Sequence, residues 1–337
     1  MKRILSILLV LLMTIGTLTS CKKKEPVVYS GSVMLYTTID EEAAMVLKQS
    51  FEKEYPGVVL DYYYGDVDRV DRKIDVEFES GQPNADVVLL SDVLSLENMK
   101  SKSRLEVYES KEAKKIPKEY KDAENYYAAA SVTTMGIGFN KNSEYGIKEE
   151  SAPKTWNDFL NNDYKGKMSL ANPANDSHVR CWVIAMMQNE NFGETYFRRL
   201  RDYGIVIRST ERDVLDNIVG GVYMVGLCYD ENALNFTKEY EDFGFKYADS
   251  DNVTMMTGVA LVKDSINQEN GKLLIDYILS KKGQETLVEN GLVSVRTDVK
   301  NILNTKSVIS NAKTMDIADA QKNGDSYITI FGEIFGD

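Results

Sequence analysis

The sequence predicts an α/β protein whose chain folds into two lobes. Short runs of apolar, β-branched and aromatic residues alternate with segments of helical hydrophobic spacing from residue 33 to the last third of the chain. With 337 residues, the chain is longer than one hydrophobic core usually supports, which favours a division into two lobes. Hydrophobic residues make up 43% of the chain and charged residues 27%, as in globular proteins.

The first elements predict the start of a parallel sheet. Residues 33–36 form an apolar run of strand type, and residues 40–55 follow with apolar residues at helical spacing. Candidates for the N-cap of this helix are Thr37, Thr38 and Asp40, and Pro56-Gly57 ends it. Next come a β-rich run, a helix and a buried strand, at residues 58–64, 68–79 and 85–90. This order of strands and helices favours right-handed parallel connections.

The rest of the chain continues the alternation with new elements. Strands are predicted at residues 132–139, 167–170, 205–207, 223–229 and 259–262. Helices are predicted at residues 156–160, from residue 177 onward, and at residues 213–219, 267–280 and 284–289.

The N-terminus predicts export from a bacterial cell and attachment to a lipid. Lys2 and Arg3 precede an apolar run that is too short to span a bilayer, which is the pattern of a secretory signal peptide. Residues 18–21 read Leu-Thr-Ser-Cys and resemble the lipobox of bacterial lipoproteins, which makes Cys21 the expected lipidation site. We therefore expect a signal peptide at residues 1–20, a lipidated tether at residues 21–29, and a location in the periplasm or on the cell surface.

The composition excludes several classes of function. The formal net charge is −12 and no basic stripe offsets it, so nucleic acid is not an expected partner. One His and three Cys leave little material for zinc clusters or His-dependent catalytic triads, so neither an enzyme nor a cofactor is predicted. Cys181 and Cys228 allow two alternatives, a disulfide in an oxidising compartment or two buried thiols.

Eight short motifs, in order along the chain, carry a family resemblance. They are LYTT (35–38), NADVV (84–88), GIGFN (136–140), PKTW (153–156), YKGK (164–167), GLCYD (226–230), GVALV (258–262) and LSKKGQ (279–284). In this order the motifs resemble the extracellular solute-binding proteins of bacterial ABC importers. The nearest group resembles binders of ferric iron, hexose phosphates and 2-aminoethylphosphonate.

The resemblance implies a two-lobe periplasmic-binding-protein-like fold of type II, with two hinge strands and a ligand held in the cleft between the lobes. It maps one lobe to residues 30–130 plus 255–315, the other to residues 131–254, and a C-terminal extension to residues 316–337. The hinge strands map to residues 128–134 and 246–254. The implied partners are the permease and ATPase subunits of an importer, and the protein is expected to be a monomer.

Candidate ligand-binding residues follow from a general rule for open α/β sheets, in which ligands bind beyond the carboxyl ends of strands. The rule selects polar residues after each predicted strand: Thr37, Thr38, Asp40, Gly65, Asp66, Asp68, Ser91, Asp92, Asn175, Asp176, Ser177, His178, Ser209, Thr210, Tyr229, Asp230 and Glu231. The resemblance places ligand contacts on the same loops, with its closest matches at Thr37, Thr38, Ser91, Ser177, Ser209 and Tyr229.

Two ligand classes remain open. Ferric iron would use anionic oxygen and imidazole donors, for which Tyr229, Asp230 and His178 are the candidates. A phosphorylated organic molecule would use helix N-termini and hydroxyl groups, with Arg180, Arg208 or Arg212 as charge partners. Ferric binders of the family usually have adjacent tyrosines where this chain has Tyr229-Asp230, so the sequence favours the phosphorylated molecule. An alternative of another class is a surface adhesin or structural lipoprotein.

Overall fold

The computed structural model describes residues 29–142, 144–302 and 305–336. The predicted signal peptide, Cys21 and nearly all of the predicted tether lie outside the described residues. Within those residues, no helix combines the length and apolar character needed to cross a membrane.

The first part of the chain forms the predicted alternation of strands and helices. Its elements are β1 (Gly31–Thr37), α1 (Glu41–Glu54), β2 (Val58–Tyr64), α2 (Val67–Glu79), β3 (Val87–Leu90), α3 (Val93–Ser101) and β4 (Leu105–Glu106). Of the three candidate caps, Asp40 is the one that accepts a hydrogen bond from the first turn of α1, from Glu42 N at 2.8 Å. Short 3₁₀ turns at Lys111–Lys115 and Lys118–Tyr120 lead to the next strand.

The middle of the chain contains one long strand and a second set of elements. They are β5 (Tyr127–Asn140), β6 (Met168–Ala171), α4 (Ser177–Gln188), α5 (Gly193–Asp202), β7 (Val206–Arg208), α6 (Glu211–Val219), β8 (Val225–Tyr229), α7 (Asp230–Glu239) and β9 (Phe243–Lys246). The segment predicted as a short helix near Trp156 is a 3₁₀ helix, Trp156–Leu160, and further 3₁₀ turns lie at Glu149–Ser151 and Asn162–Tyr164. The last elements are β10 (Thr254–Val262), α8 (Gln268–Leu279), α9 (Lys281–Glu289), α10 (Lys306–Asn311) and α11 (Ile317–Phe335).

The strands of the described residues are joined in the order β2-β1-β3-β10-β5-β8-β6-β7. The first lobe contains the β1–β3 and β4 strands with β10, and the second lobe contains β6–β9. Strand β5 belongs to both, because residues 127–134 pair with β10 and residues 135–140 pair with β8 and β9. The chain crosses back between β9 and β10. The two-lobe fold is therefore confirmed, while the predicted lobe boundaries stay a prediction. Strand β5 forms one connection, but most of the second predicted hinge strand is irregular, because residues 247–252 form no strand.

Two clusters of buried side chains form the core. One lies on one face of the first-lobe sheet, where Leu35, Leu47 and Phe51 pack together. The other begins on the opposite face and continues into the second lobe around Trp156 and Trp182. Because neighbouring strand residues point to opposite faces, Leu35 belongs to the first cluster while Tyr36 belongs to the second.

Helix α11 is the largest element that was not predicted from the sequence, because residues 316–337 were expected only as a C-terminal extension. It packs on α4 and α5 of the second lobe and also touches α3 of the first. Gly324 allows the close approach to α4, because a Cβ there would lie 3.3 Å from Ile184 Cδ1. Gln188 fixes the start of α11 through hydrogen bonds with the Asp316 backbone, both of 2.9 Å.

Both described cysteines are buried free thiols, which decides between the two alternatives left open by the sequence. Cys181 lies on α4 and its Sγ is 3.6 Å from Asp92 Oδ1, whereas Cys228 lies within β8. Burial raises the pKa of both thiols well above the usual value, so neither is a reactive thiolate.

Candidate ligand-binding site

A cleft of about 1040 Å³ lies between the lobes, at the carboxyl ends of their parallel strands. Its first-lobe wall includes Thr38, Asp40, Tyr64, Asp66, Asp68, Asp71, Arg72, Ser91, Asp92 and Ser95. Its second-lobe wall includes Asn175, Asp176, Ser177, His178, Arg180, Tyr229, Glu231 and Asn232. Helix α11 closes one side with Ala320, Gln321, Gly324 and Asp325.

Three hydroxyl groups connect the lobes at this cleft. Ser91 N donates a hydrogen bond to Thr38 Oγ1 at 2.7 Å, and the two hydroxyl oxygens of this pair are 2.9 Å apart. Ser91 Oγ is also 3.3 Å from Ser177 Oγ, which lies at the start of α4 in the other lobe. The hydroxyls of Thr38, Ser91 and Ser177 therefore form a continuous polar contact from lobe to lobe.

Buried carboxyl groups lie beside these hydroxyls. Asp92 is only 6% exposed, and burial raises the pKa of its carboxyl group. Burial likewise raises the pKa of Asp71 to about 6, although the Ser95 hydroxyl donates a hydrogen bond to Asp71 Oδ2 at 2.8 Å. Burial therefore makes these two carboxyl groups keep their protons to higher pH than exposed aspartates do.

Tyr229 anchors the second-lobe wall. Its hydroxyl donates to Asp176 Oδ2 at 3.3 Å, and its backbone N–H donates to Glu211 Oε1 at 2.8 Å. The His178 ring meets the Tyr229 ring edge to face, with centroids 4.8 Å apart. Burial and the nearby Glu211 carboxylate raise the pKa of the Tyr229 phenol well above its usual value, so the phenol is neutral. Burial also lowers the pKa of His178, which favours neutral imidazole.

An aspartate caps each of the helices α1–α4, which begin at the cleft. In each case the side chain accepts a hydrogen bond from a backbone N–H of the first turn, and the four caps are Asp40, Asp66, Asp92 and Asp176. A carboxylate at an N-cap satisfies a free amide and offsets the positive end of the helix dipole. These helix ends therefore provide fewer free backbone N–H groups and less positive potential for an anionic ligand than uncapped N-termini would.

The structure brings eight of the predicted site residues together in the cleft. They are Thr38, Asp66, Ser91, Asp92, Asp176, Ser177, His178 and Tyr229. The loop rule also selected Asp40, Asp68, Asn175 and Glu231, which line the cleft as well.

Five of the candidate residues lie outside the cleft lining, each for a physical reason. Gly65 is buried and its backbone N–H donates to Thr37 O at 3.2 Å. Thr37 is fully buried because it is the last residue of β1 and its hydroxyl donates to Leu89 O at 2.9 Å. Asp230 is also fully buried and accepts hydrogen bonds from Thr134 N and Tyr247 OH. Ser209 and Thr210 are exposed beyond β7, which is at the edge of the sheet, and Thr210 caps α6.

Of the three candidate charge partners, only Arg180 lines the cleft, and its guanidinium is 2.5 Å from Asp325 Oδ1. Arg212 instead pairs with Asp216 and packs over the Phe236 ring. Arg208 lies on the edge strand β7. The ferric donor set is likewise incomplete at the cleft, because Asp230 faces the connecting strands rather than Tyr229 and His178.

The sequence reading missed lining residues that lie one or more turns inside a helix. Asp71 and Arg72 follow Asp68 on α2, three and four positions later, and share its face. That spacing was visible in the sequence, whereas the contribution of Asp325 depends on where α11 packs. Asn232 lies in the first turn of α7, and its side-chain amide donates a hydrogen bond to Glu211 Oε2 at 2.6 Å.

The buried carboxyl groups predict that the ligand-free protein loses stability as pH rises toward about 8. Burial raises the pKa of Asp230 to about 7 and of Glu231 to about 8, and for Glu231 the carboxylates of Asp230, Asp40 and Asp176 add to the effect. The folded state then holds protons that the unfolded chain has released, so stability falls between the unfolded and folded pKa values. His178 acts in the opposite direction, but only below about pH 6.5.

We therefore expect the Tm to decrease from about pH 6.5 to about pH 8. Each such group lowers the free energy of unfolding by at most about 1.4 kcal/mol per pH unit. Glu231→Gln should flatten this decrease, and differential scanning calorimetry at several pH values measures it. A Tm that rises over this range in the wild type would contradict the assignment.

Comparisons with known proteins agree with this geometry. The family described as "Bacterial extracellular solute-binding protein" matches residues 82–320. The phosphoglycerate transport regulatory protein PgtC of Salmonella typhimurium is 23% identical over 266 residues, which cover 77% of this chain but 65% of that relative. The match thus spans less than two thirds of the relative's own length.

Solved structures resemble the whole described fold. Iron-bound HitA from Pseudomonas aeruginosa superposes with a TM-score of 0.77 at 16% identity, covering 90% of this chain and 99% of that one. AfuA from Actinobacillus pleuropneumoniae, with fructose 6-phosphate bound, gives a TM-score of 0.76 at 20% identity, with 91% and 99% covered. At these identities the likeness establishes the fold, which is that of type II periplasmic binding proteins.

Proposed function

Because this chain belongs to the family of bacterial extracellular solute-binding proteins, we propose that it captures a small polar solute in the interlobe cleft and delivers it to the permease of an ABC importer. The proposed role is binding and transfer, without catalysis. The observation that carries this proposal is the cleft itself, which is lined by polar side chains from both lobes and spanned by two connecting segments. A cleft of this kind can bury a small ligand when the lobes close around it.

Asp230 is the residue that supports a hinge between the lobes. Its Oδ1 accepts from Thr134 N on β5 at 3.1 Å, and its Oδ2 accepts from Tyr247 OH on the returning segment at 2.8 Å. One carboxyl group at the start of α7 thus holds both crossings. We propose hinge segments near residues 128–134 and 246–254, with lobes at residues 30–130 plus 255–315 and at residues 131–254.

Attachment to the membrane is a further part of the proposal. The signal-peptide pattern and the lipobox-like residues 18–21 support lipidation of Cys21. A lipidated chain end would hold the protein, as a monomer, at the membrane surface beside the permease and its ATPase.

The two ligand classes expected from the sequence each have support. A phosphorylated molecule is supported by the hydroxyls of Thr38, Ser91 and Ser177, by the sugar phosphate in AfuA and by the name of PgtC. Ferric iron is supported by the iron bound to HitA and by the paired rings of Tyr229 and His178. The acidity of the cleft does not fit a phosphorylated molecule, and its carboxyl groups form no cluster of three or more donors that could hold a metal among the described residues.

Thermal stability in the presence of candidate solutes tests the proposed function. The panel is ferric citrate, fructose 6-phosphate, 3-phosphoglycerate, 2-aminoethylphosphonate, putrescine and spermidine. A ligand present at 100 times its Kd adds about 2.7 kcal/mol of stability, so a true solute should raise the Tm clearly. If no compound raises the Tm and native mass spectrometry finds no co-purified solute, the adhesin or structural lipoprotein alternative is favoured.

A further inference from the structure

We infer that the solute of this cleft is an organic cation that carries one or more ammonium groups. The inference rests on the proposed transport function and specifies its substrate class. Among the described residues that line the cleft, eight carry a carboxyl group, two carry a guanidinium group and none is lysine. One of the two guanidinium groups, that of Arg180, is already paired with Asp325. Where its carboxyl groups are ionised, or become ionised beside an incoming cation, such a lining attracts positive charge and repels a phosphate dianion.

The helix ends around the cleft support the same conclusion. Anion sites at helix N-termini depend on unsatisfied backbone N–H groups. Here the side chains of Asp40, Asp66, Asp92 and Asp176 each accept from one of those groups. An incoming phosphate would meet carboxylates at these four positions, whereas an ammonium group would find hydrogen-bond acceptors.

His178 supplies an independent observation. Its side chain is only 7% exposed and lines the cleft, and its Nε2 has no hydrogen-bond partner among the residues that the structure describes. A buried, neutral imidazole has one nitrogen that can accept a hydrogen bond. An ammonium N–H can satisfy that nitrogen.

The spacing of the carboxyl groups favours an organic cation over a metal ion. A metal ion needs donors that converge within about 2–2.6 Å of one point. No group of three or more His, Cys, Asp or Glu side chains arranged to hold a metal was found among the described residues. The carboxyl groups are instead distributed around a cavity of about 1040 Å³, which suits an extended molecule whose ammonium groups are separated.

Calorimetric titration of the purified full chain with putrescine, spermidine, fructose 6-phosphate and ferric citrate tests the inference. We expect putrescine or spermidine to bind with at least tenfold higher affinity than the other two probes. The affinity should fall as ionic strength rises, because charge attraction drives the binding. The affinity should also rise from about pH 6 to about pH 8, since Glu231 loses its proton there while an alkyl ammonium stays charged. The titratable groups that interact electrostatically with Glu231 are those of Asp230, Asp40, Asp176 and Tyr229.

Variants separate the effect of charge from the effect of folding. Asp176→Asn keeps the N-cap hydrogen bond, because Asn caps helices as well as Asp does, but removes one negative charge. Glu231→Gln removes another charge on the same wall at pH 8 and above, where the wild-type carboxyl group has lost much of its proton. At about pH 8.5, each variant should weaken diamine binding at least tenfold without unfolding the protein. The matched control is Glu150→Gln, an exposed carboxyl group that does not line the cleft, and it should bind like the wild type.

The outcomes separate the inference from the proposed function. Tight binding of fructose 6-phosphate or ferric citrate, with no diamine binding, would overturn the cationic class and leave the transport function intact. Diamine binding that Asp176→Asn and Glu231→Gln leave unchanged would also overturn it, because the cleft would then not be the site. Absence of binding for the whole thermal panel would count against the proposed function itself.

Discussion

Phe331→Ala should lower the free energy of unfolding by about 3–5 kcal/mol, the usual cost of removing a fully buried phenyl ring. Phe331 lies on α11, is 1% exposed and packs edge to face on Phe197 of α5, with ring centroids 5.5 Å apart. Its loss leaves a cavity between α11 and the second lobe. Because α11 also forms one wall of the cleft, the variant should weaken solute binding as well.

Chemical denaturation followed by circular dichroism measures this loss of stability. The matched control is Lys322→Ala, an exposed residue on the same helix, and its stability should stay within about 0.5 kcal/mol of the wild type. If Phe331→Ala were as stable as Lys322→Ala, α11 would be a dispensable extension and its packing on the second lobe would be contradicted.

A disulfide across the cleft should abolish solute exchange. Ser91 Oγ and Ser177 Oγ belong to different lobes and are 3.3 Å apart, so cysteines at both positions lie near disulfide distance. Ser91→Cys with Ser177→Cys, in a Cys181→Ala background that removes the neighbouring native thiol, should cross-link under oxidation and fix the lobes. Titration with spermidine, or with whichever panel compound the wild type binds, should then give an affinity loss of at least 100-fold.

Reduction provides the control for this experiment, because it breaks the cross-link and leaves the sequence unchanged. The reduced double variant should regain most of its affinity, apart from the loss of two hydroxyl groups. An oxidised, cross-linked protein that binds as tightly as its reduced form would contradict movement of the lobes during binding.

The order of elements could be read from the sequence because local signals agreed with the final structure. Asp40 followed by helical spacing, and Pro56-Gly57 at the end, define α1 within two residues. Strand β5 was predicted too short, because its first part is a run of small residues between Tyr127 and Val132 without a strong strand signal. The packing of α11 on the second lobe is a tertiary property that hydrophobic spacing does not encode.

The site was partly predictable for a related reason. The rule that ligands bind beyond the carboxyl ends of strands identifies the loops that surround the site, and it correctly selected Thr38, Ser91 and Ser177. The rule does not give side-chain direction, and it therefore also selected Thr37 and Asp230, whose side chains are buried elsewhere. The charge of the cleft became visible only after α2, α7 and α11 were placed around it.

Solution X-ray scattering of the purified protein, with and without saturating spermidine, tests most directly the claim that the cleft captures a cationic solute by closure. We predict a smaller radius of gyration with spermidine, an unchanged radius with fructose 6-phosphate, and no change in helix or strand content by circular dichroism. A radius of gyration that stays constant with every compound of the panel would contradict closure, and compaction by fructose 6-phosphate alone would contradict the cationic cleft.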